Sequence, residues 1–266
     1  MGKFDGFLIA SDLDGTLLGS DKRLSGENRA AIEYFKGLGG YFTVSTGRAP
    51  ESFRLPAAFL PFNAPVVMCN GAIIYDYQQG EVVYVSYMEE GWELVGRIVA
   101  MGEQVAVEIY RLSDTFLVHP NEVSLAHLAY VEAPYTVAEA GEVAYPWLKI
   151  LITGPPDDMD RVLILLSERY PEYSYVKSEA VFVEVCRGGI DKGTGVLRLA
   201  GHLGVAREKI FTVGDHGNDI DMLKVAAVSF APENGSDEAK AAADVILPGN
   251  DDHTIRALVE YLDENY

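Results

Sequence analysis

Short apolar runs that stop abruptly at polar residues lie near both ends of the chain. Runs of this kind predict buried parallel strands that end where the polar residues begin. Between them, apolar residues recur at helical spacing, and Ser25 is placed to cap the first helix. This alternation of strand and helix indicates an α/β fold. Strands are predicted at residues 7–11, 41–45, 66–69, 210–213, 228–231 and 244–247, and helices from 25, at 192–202, 219–226 and 236–243, and from 252.

The middle of the chain has a different pattern, in which helices are segregated from antiparallel strands. Hairpins are predicted at residues 73–87 and 173–186, strands at 105–110, 115–118 and 147–153, and helices at 92–101, from Ser124, and from a cap at Asp157 or Asp158 to Tyr170. Such a pattern is typical of an α+β layer. The sequence therefore predicts an α/β protein: a Rossmann-like parallel-sheet core domain, residues 1–79 and 187–266, with an inserted α+β domain at 80–186.

Composition and charge narrow the class of protein. The chain has 266 residues, of which 21 are Lys or Arg and 40 are Asp or Glu, so its formal net charge is −19. Such a charge repels nucleic acid and anionic membranes, and no apolar run approaches the roughly 18 to 20 residues that cross a bilayer. Cys69 and Cys186 lie in no metal-binding spacing and fit a reducing compartment. We expect a cytoplasmic monomer, with a weak homodimer as the alternative, that binds neither nucleic acid nor membrane.

The sequence DLDGT, residues 12–16, directly follows the first predicted strand, where open α/β sheets bind their ligands. A carboxylate nucleophile needs an open face, a metal ion that aligns the electrophile, and a second acid that protonates the leaving oxygen. Asp12 and Asp14 supply these two acids. The alternative is a strand-to-helix turn that is acidic by chance, which is expected in roughly one such sequence in a few hundred.

Three further segments carry weaker signals. STGR, residues 45–48, offers a hydroxyl, a backbone amide and a guanidinium to phosphate oxygens, although a Thr-Gly turn is common. The Asn-Gly pair at residues 70–71 follows the third predicted strand and is usually only a turn. Lys192 stands where a helix begins and could neutralise a carboxylate and phosphoryl oxygens, whereas most lysines are solvated surface charges. Their predicted position beside DLDGT favours the functional interpretation of all three.

GDHGND, residues 214–219, also follows a predicted strand, so its acids should face the same end of the sheet. Asp12, Asp215 and the backbone carbonyl of Asp14 could give three oxygen ligands to Mg²⁺, with water and a phosphate oxygen completing an octahedron. His216 has no companion for zinc, so we interpret it as a loop residue that shapes the site. Each carboxylate close to a phosphate dianion would repel it by about 4 kcal/mol at an effective dielectric of about 20, so the sequence predicts an obligatory Mg²⁺.

In this order, DLDGT, STGR, the isolated Lys192 and GDHGND resemble the four motifs of the haloacid dehalogenase (HAD) superfamily of phosphohydrolases, and the match spans the whole chain. The insertion between the second and third motifs, preceded by NGA at residues 70–72, resembles the α/β cap of the Cof-like sugar-phosphate phosphatases, subfamily IIB. This resemblance implies that the inserted domain is a cap that sets substrate specificity. His216 is a departure, because relatives usually have glycine at that position.

The resemblance also implies a role for each motif residue. Asp12 would attack phosphorus and become an aspartyl phosphate, while Asp14 would protonate the leaving oxygen and later activate water. An acid at position 14, rather than threonine, implies a phosphatase or a mutase rather than an ATPase. The implied catalytic residues are Asp12, Asp14, Thr46 and Lys192; the implied substrate-binding residues are Gly47, Arg48, Asn70, Gly71, Lys192 and Asn218; and the implied Mg²⁺ ligands are Asp12, Asp14 through its carbonyl, Asp215 and the supporting Asp219.

We therefore predict a Mg²⁺-dependent phosphomonoester hydrolase for small phosphorylated metabolites, with hexose and pentose phosphates ahead of pyridoxal phosphate and nucleotide monophosphates. A phosphomutase would form the same aspartyl phosphate but return the phosphoryl group to a sugar. A receiver-type signalling module is disfavoured by the insertion, because such modules span about 120 residues. A sugar-phosphate binding protein without activity is the remaining alternative.

Overall fold

The computed structural model describes residues 2–88 and 91–266 and divides into two compact units. The sequence predicts the insertion at 80–186, whereas the contacts divide the chain at slightly different residues and also group the segment after Gly47 with the insertion. Unit 1 consists of Met1–Gly47, Ala57–Tyr84 and Asp191–Tyr266, and unit 2 of Arg48–Pro56 and Val85–Ile190.

The helices and strands follow one another closely along the described residues. The helices are α1 (Gly26–Gly37), α2 (Pro50–Phe59), α3 (Trp92–Val99), α4 (Glu122–Tyr130), α5 (Pro156–Arg169), α6 (Lys192–Leu203), α7 (Ile220–Val225), α8 (Asp237–Ala242) and α9 (Thr254–Asn265). The strands are β1 (Leu8–Ser11), β2 (Tyr41–Val44), β3 (Val66–Met68), β4 (Ile73–Asp76), β5 (Glu81–Val85), β6 (Ala106–Tyr110), β7 (Thr115–Val118), β8 (Thr136–Val137), β9 (Lys149–Thr153), β10 (Tyr173–Glu179), β11 (Phe182–Arg187), β12 (Ile210–Val213), β13 (Val228–Pro232) and β14 (Val245–Leu247).

Unit 1 is built on a parallel sheet in the order β14-β13-β12-β1-β2. The register aligns Ser11 on β1 with Val213 on β12 and Val44 on β2, so these strands finish level with one another. The chain leaves β1 toward β2 on one side and returns to β12 on the other. This point of divergence is where open α/β sheets bind ligands. The predicted α/β fold with a parallel-sheet core is confirmed.

Helices cover both faces of this sheet. α6 and α7 pack on the face that carries Leu8 and Ala10. On the other face, the ring of Phe211 contacts that of Tyr266 at the end of α9, and α9 packs against α1. Burial on both faces explains why the strands are continuous apolar runs rather than alternating ones.

The third predicted strand does not join the parallel sheet as a full member. β3 pairs antiparallel with β4 in a three-stranded sheet with β5, and a single parallel bridge connects Ser45 to Val67. Cys69, Asn70 and Gly71 all have positive φ, so the chain turns sharply after β3 and its next strand pairs back on it. The predicted hairpin after residue 73 therefore extends to include β3.

Helix α2 is not predicted from the sequence, because Pro56 lies inside it and proline normally ends a helix. Proline has no N–H to donate to the carbonyl of Ser52, four residues earlier. The guanidinium of Arg48 donates to that carbonyl instead, from Nη1 at 3.1 Å. This contact compensates for the donor that Pro56 lacks, and it fixes the side chain of Arg48 on the first turn of the helix.

Unit 2 contains a sheet in the order β10-β11-β9-β6-β7-β8, antiparallel except for the β7-β8 pair. α3 and α5 pack over one face around a core that includes Trp147, and α4 packs on the other face through Leu128. This is the α+β layer that the sequence predicts. Across residues 2–88 and 91–266, every helix is too short or too polar to cross a bilayer.

Two helix starts in unit 2 differ from the prediction. α4 begins at Glu122 with Asn121 as its cap, because Asn121 Oδ1 accepts from the N–H of Ser124 and Ser124 Oγ accepts from the N–H of Asn121. Ser124 is therefore the third residue of the helix rather than its start. α5 begins at Pro156, whose fixed φ suits the first helical position. Asp157 and Asp158 lie in its first turn, where their charges favour the helix dipole, and do not cap it.

Candidate active site

Asp12 continues β1 at the point where the parallel sheet diverges. Its backbone N–H donates to the carbonyl of Val213 at 2.9 Å, and its side chain is buried. The chain then turns at Gly15, whose φ of 81° is a left-handed conformation that favours glycine. A Cβ on Gly15 would also collide with the carboxylate of Asp215. Glycine thus lets the loop after β1 approach the loop after β12.

Three buried carboxylates meet between these two loops. Oxygen atoms of Asp12, Asp215 and Asp219 lie within 4.8 Å of one another. Lys192 is only 1% exposed and donates from Nζ to Oδ1 of Asp12 and to Oδ1 of Asp219, each at 2.6 Å. Thr16 Oγ1 donates to Oδ1 of Asp215 at 2.7 Å. When all three acids are ionised, the single ammonium of Lys192 does not neutralise them. The cluster then has a net negative charge that favours binding of a further cation.

Burial and charge shift the pKa values in this cluster. Burial raises the pKa of Asp12 well above its ordinary value; Lys192 opposes this shift, and the carboxylates of Asp219 and Asp215 add to it. The pKa of Asp219 is raised for the same reason, again against the effect of Lys192. Burial alone would lower the pKa of Lys192, but the carboxylates of Asp12 and Asp219 outweigh burial and raise it. The two carboxylates therefore favour the charged form of Lys192 in spite of its burial.

Asp219 organises the loop after β12 as well as contacting Lys192. Its Oδ2 accepts from the backbone N–H groups of Asp215 at 3.0 Å and His216 at 3.1 Å. A Cβ on Gly214 would collide with the Asp219 side chain, so glycine permits this close packing. Both oxygens of Asp219 thus accept hydrogen bonds from protein groups, which suits a residue that supports the cluster.

The structure also brings together predicted residues that follow β2, β3 and β12. The backbone N–H of Asn70 donates to the carbonyl of Thr46 at 3.1 Å, and Asn218 Nδ2 donates to Asn70 Oδ1 at 3.3 Å. Gly71 has a φ of 96°, and a Cβ there would collide with the carbonyl of Asp191 at the start of α6. These contacts join the loops that carry STGR, NGA and GDHGND to the helix that carries Lys192.

Three further predicted residues, Asp14, Gly47 and Arg48, belong to neither of these two groups. Asp14 is partly exposed, and within the described part of the chain its side chain is not one of the clustered acids. Gly47 lies in the bend after β2, and the contacts assign Arg48 to unit 2.

Sequence reasoning missed three contributors to the site. Thr16 belongs to the DLDGT segment but carried no assigned role, and it binds Asp215. His216 Nδ1 lies 2.6 Å from Asp215 Oδ2, although the sequence assigned it only to loop shape. Asn234 Nδ2 donates to the carbonyl of Gly15 at 2.8 Å and carried no signal, because it lies in a loop far from every motif.

Comparison with known proteins agrees with this geometry. The pattern of the family described as haloacid dehalogenase-like hydrolase matches residues 9–258. The chain belongs to this family. Among haloacid dehalogenase-like relatives, the 5-amino-6-(5-phospho-D-ribitylamino)uracil phosphatase YitU of Bacillus subtilis is 28% identical over 96% of this chain and 97% of its own length. YcsE of the same organism, with the same described activity, is 26% identical over 91% of this chain and 90% of its own length.

Solved structures share the fold. The HAD subclass IIB sugar phosphatase BT4131 superposes with a TM-score of 0.85 at 21% identity, covering 97% of this chain and 99% of the other. The phosphatase BT1666 from Bacteroides thetaiotaomicron superposes with a TM-score of 0.82 at 23% identity, covering 98% and 96%. The predicted family and enzyme class, a phosphatase of the haloacid dehalogenase superfamily, are confirmed.

The donor set in this haloacid dehalogenase-like protein fits a hard divalent cation. The clustered ligand atoms are carboxylate oxygens, which suit Mg²⁺ better than softer metals. Buried carboxylates are stable only when paired or bound to metal, and Lys192 contacts two of the three. The carboxylate ligands and the negative charge that Lys192 leaves uncompensated both favour a hard divalent cation such as Mg²⁺.

Proposed function

We propose that this enzyme is a Mg²⁺-dependent phosphomonoester hydrolase of the cytoplasm, a monomer, that acts on small phosphorylated metabolites through an aspartyl phosphate on Asp12. The observation that carries the proposal is the Asp12–Lys192–Asp219 arrangement at the divergence point of the sheet, beside Asp215. It combines a carboxylate held in place, a buried lysine ammonium and a set of carboxylate oxygens that could hold a metal ion. A carboxylate nucleophile for phosphoryl transfer needs these three features.

In the first step, a carboxylate oxygen of Asp12 forms a bond to phosphorus while the bond from phosphorus to the leaving oxygen breaks. Lys192 holds Oδ1 at 2.6 Å, so we assign the attack to Oδ2. Asp14, which is partly exposed, gives its proton to the leaving oxygen, and the alcohol departs. The ammonium of Lys192 stabilises the negative charge of the phosphoryl group that is in transfer.

In the second step, Asp14 takes a proton from a water molecule, and the water oxygen attacks phosphorus. The bond between phosphorus and Asp12 breaks, which releases inorganic phosphate and restores both carboxyl groups. Bound Mg²⁺ would supply charge neutralisation, held by Asp12, Asp215 and the Asp14 carbonyl with Asp219 in support. Thr46, Lys192 and Asn218 would bind phosphoryl oxygens, and Gly47, Arg48, Asn70 and Gly71 would contact the substrate.

One face of the unit 2 sheet supports a polyhydroxylated substrate. Register places Glu108, Tyr110, Lys149 and Glu184 on the face opposite the core around Trp147, which is the face on which α4 packs. Lys149 is paired with Glu184 and lies over the ring of Tyr110 at 4.9 Å, and all four side chains are buried. Buried charges are stable when they are paired, and here Glu184 pairs with Lys149 while Glu108 lies 3.0 Å from His127 on α4. Groups of these types can also form hydrogen bonds with substrate hydroxyl groups. We propose that unit 2 is the cap domain and that it selects substrates that carry hydroxyl groups.

The described substrates of the relatives support the same class. YitU and YcsE are described as acting on a phosphorylated ribityl compound, and BT4131 is described as a sugar phosphatase. Both descriptions combine a phosphate ester with a chain or ring of hydroxyl groups. We therefore place pentose, hexose and polyol phosphates first among the substrates of this enzyme.

Phosphate release from a substrate panel tests this function. The panel contains sugar phosphates, polyol phosphates, pyridoxal phosphate, nucleotide monophosphates and p-nitrophenyl phosphate, each with Mg²⁺ or with EDTA, and Asp12→Asn is measured beside the wild type. We expect the wild type to release phosphate from hydroxyl-rich esters with Mg²⁺ only, and Asp12→Asn to be inactive. Full activity in EDTA would contradict the metal requirement, and turnover only with a bisphosphate activator would favour a phosphomutase.

A further inference from the structure

His216 contacts the acid cluster from its surface side. Its Nδ1 lies 2.6 Å from Oδ2 of Asp215, and its side chain is 45% exposed. A side chain with this exposure adds little to core packing. The contact with Asp215 links the imidazole to the acid cluster.

The proton of this contact is assigned to Nδ1 of His216, because an ionised carboxylate of Asp215 has no proton to donate. Nδ1 of His216 thus acts as a directed N–H donor to Asp215, a role that a glycine at this position could not fill.

With this bond, Asp215 is held at both oxygens. Thr16 donates to Oδ1 at 2.7 Å and His216 donates to Oδ2. The two hydrogen bonds from Lys192 go instead to the other two acids of the cluster. Each carboxylate oxygen has a second lone pair, so Asp215 can still bind a cation. Two donors fix the plane of the carboxylate before a cation arrives.

We propose that His216 is a positioning residue for the divalent cation, because its Nδ1–H orients the Asp215 carboxylate for metal binding. The proposal rests on the metal site of the proposed function. Donors that orient a metal ligand typically contribute about 10- to 100-fold to metal affinity. The imidazole acts here through Asp215 and is not itself a ligand.

A pair of substitutions of equal shape tests this role. His216→Asn keeps an N–H donor at the level of Nδ1, whereas His216→Leu has nearly the same outline as asparagine and no donor. Binding of Mn²⁺ to the full-length enzyme without substrate is measured by the loss of the free Mn²⁺ signal in electron paramagnetic resonance. We expect the dissociation constant to rise about 10-fold or more in His216→Leu and to stay within about threefold of the wild type in His216→Asn. The metal-free melting temperature of each variant serves as the folding control.

Three outcomes would overturn the proposal. Equal Mn²⁺ affinity in the wild type and His216→Leu would show that the donor does not matter. Equal weakening in both variants would show that the ring itself is a ligand, and no Mn²⁺ binding by the wild type would remove the site. Phosphate release is measured separately. Its absence, with the expected Mn²⁺ pattern intact, would contradict the proposed function and still support the role of His216.

Discussion

At the scale of the residue, Lys192 is only 1% exposed and contacts two buried carboxylates. Removing an ion from water costs several kcal/mol even after relaxation, so Lys192 is retained at a cost to folding. Well-packed apolar residues in place of a buried ion pair often leave the stability of a protein unchanged or raise it. Stability alone therefore does not explain why a lysine is buried here. Lys192 donates to Oδ1 of Asp12, so in the proposed reaction its ammonium would face the phosphoryl group bound to Asp12. This role accounts for a buried lysine that is costly to folding.

Replacing this lysine by a side chain of similar length without charge should separate folding from catalysis. For Lys192→Met we expect kcat to fall on the order of 100-fold or more, since the charge developing on phosphorus loses its fixed cation. Lys224→Met is the matched control, because Lys224 is exposed and pairs with Asp221 on α7 of the same unit. Initial rates and circular dichroism are measured for both variants with saturating Mg²⁺. Equal rates for the two folded variants would contradict a role for Lys192 in the reaction.

The acids of the cluster were predictable from the sequence, but the hydrogen bonds that hold them in place were not. Asp12 and Asp215 each follow a strand of the parallel sheet, and strand ends converge by geometry. The bonds to Asp215 from Thr16 and His216 depend on side-chain rotamers and on the turn after Gly214. No periodicity or spacing encodes these contacts, so they emerge only from the folded structure.

At the scale of the element, the start of α6 determines where Lys192 lies. Asp191 Oδ1 accepts from the N–H of Thr194 at 2.7 Å, and Thr194 Oγ1 accepts from the N–H of Asp191 at 3.1 Å. This reciprocal cap fixes the first turn of the helix, and Lys192 is its first residue. The helix start thus directs the ammonium toward the cluster.

Loss of this cap should reduce both stability and activity. For Asp191→Ala we expect a loss of about 1 kcal/mol of unfolding free energy and a fall of roughly 2 to 4 °C in Tm. Ser25→Ala is the control, since Ser25 caps α1 through the N–H of Asn28. The two variants should lose similar stability, measured by thermal unfolding, while only Asp191→Ala also lowers kcat. If kcat falls equally in both, the helix start does not position Lys192.

Elements with strong periodicity were predictable, and those that rely on a tertiary contact were not. The parallel strands of unit 1 are predicted within one or two residues, because burial on both faces leaves a continuous apolar signal. Helix α2 contains Pro56 and is stabilised by the bond from Arg48 to Ser52, which no local pattern indicates. Local propensity thus fails where one side chain compensates for another.

At the scale of the whole molecule, the catalytic sheet is discontinuous in sequence. β1 and β2 come before unit 2 and β12 to β14 come after it, yet β1 pairs directly with β12. The alternation of apolar strands and helices made the parallel core predictable, and the change to an antiparallel pattern marked the insertion. The side chains that we propose to select the substrate, such as Lys149 and Glu184, were not predictable in the same way, because their pairing follows from strand register.

The most direct test of the proposed mechanism is to trap the phosphoenzyme. The experiment uses the variant Asp14→Asn with p-nitrophenyl phosphate, whose leaving group needs no protonation. The first step should therefore proceed, whereas the second step lacks the base that activates water. After rapid acid quench and peptide mapping, we expect phosphate on Asp12 of Asp14→Asn, in nearly stoichiometric amount and only with Mg²⁺ present. Phosphate on another residue, or no phosphoenzyme in a variant that still releases p-nitrophenol, would contradict nucleophilic attack by Asp12.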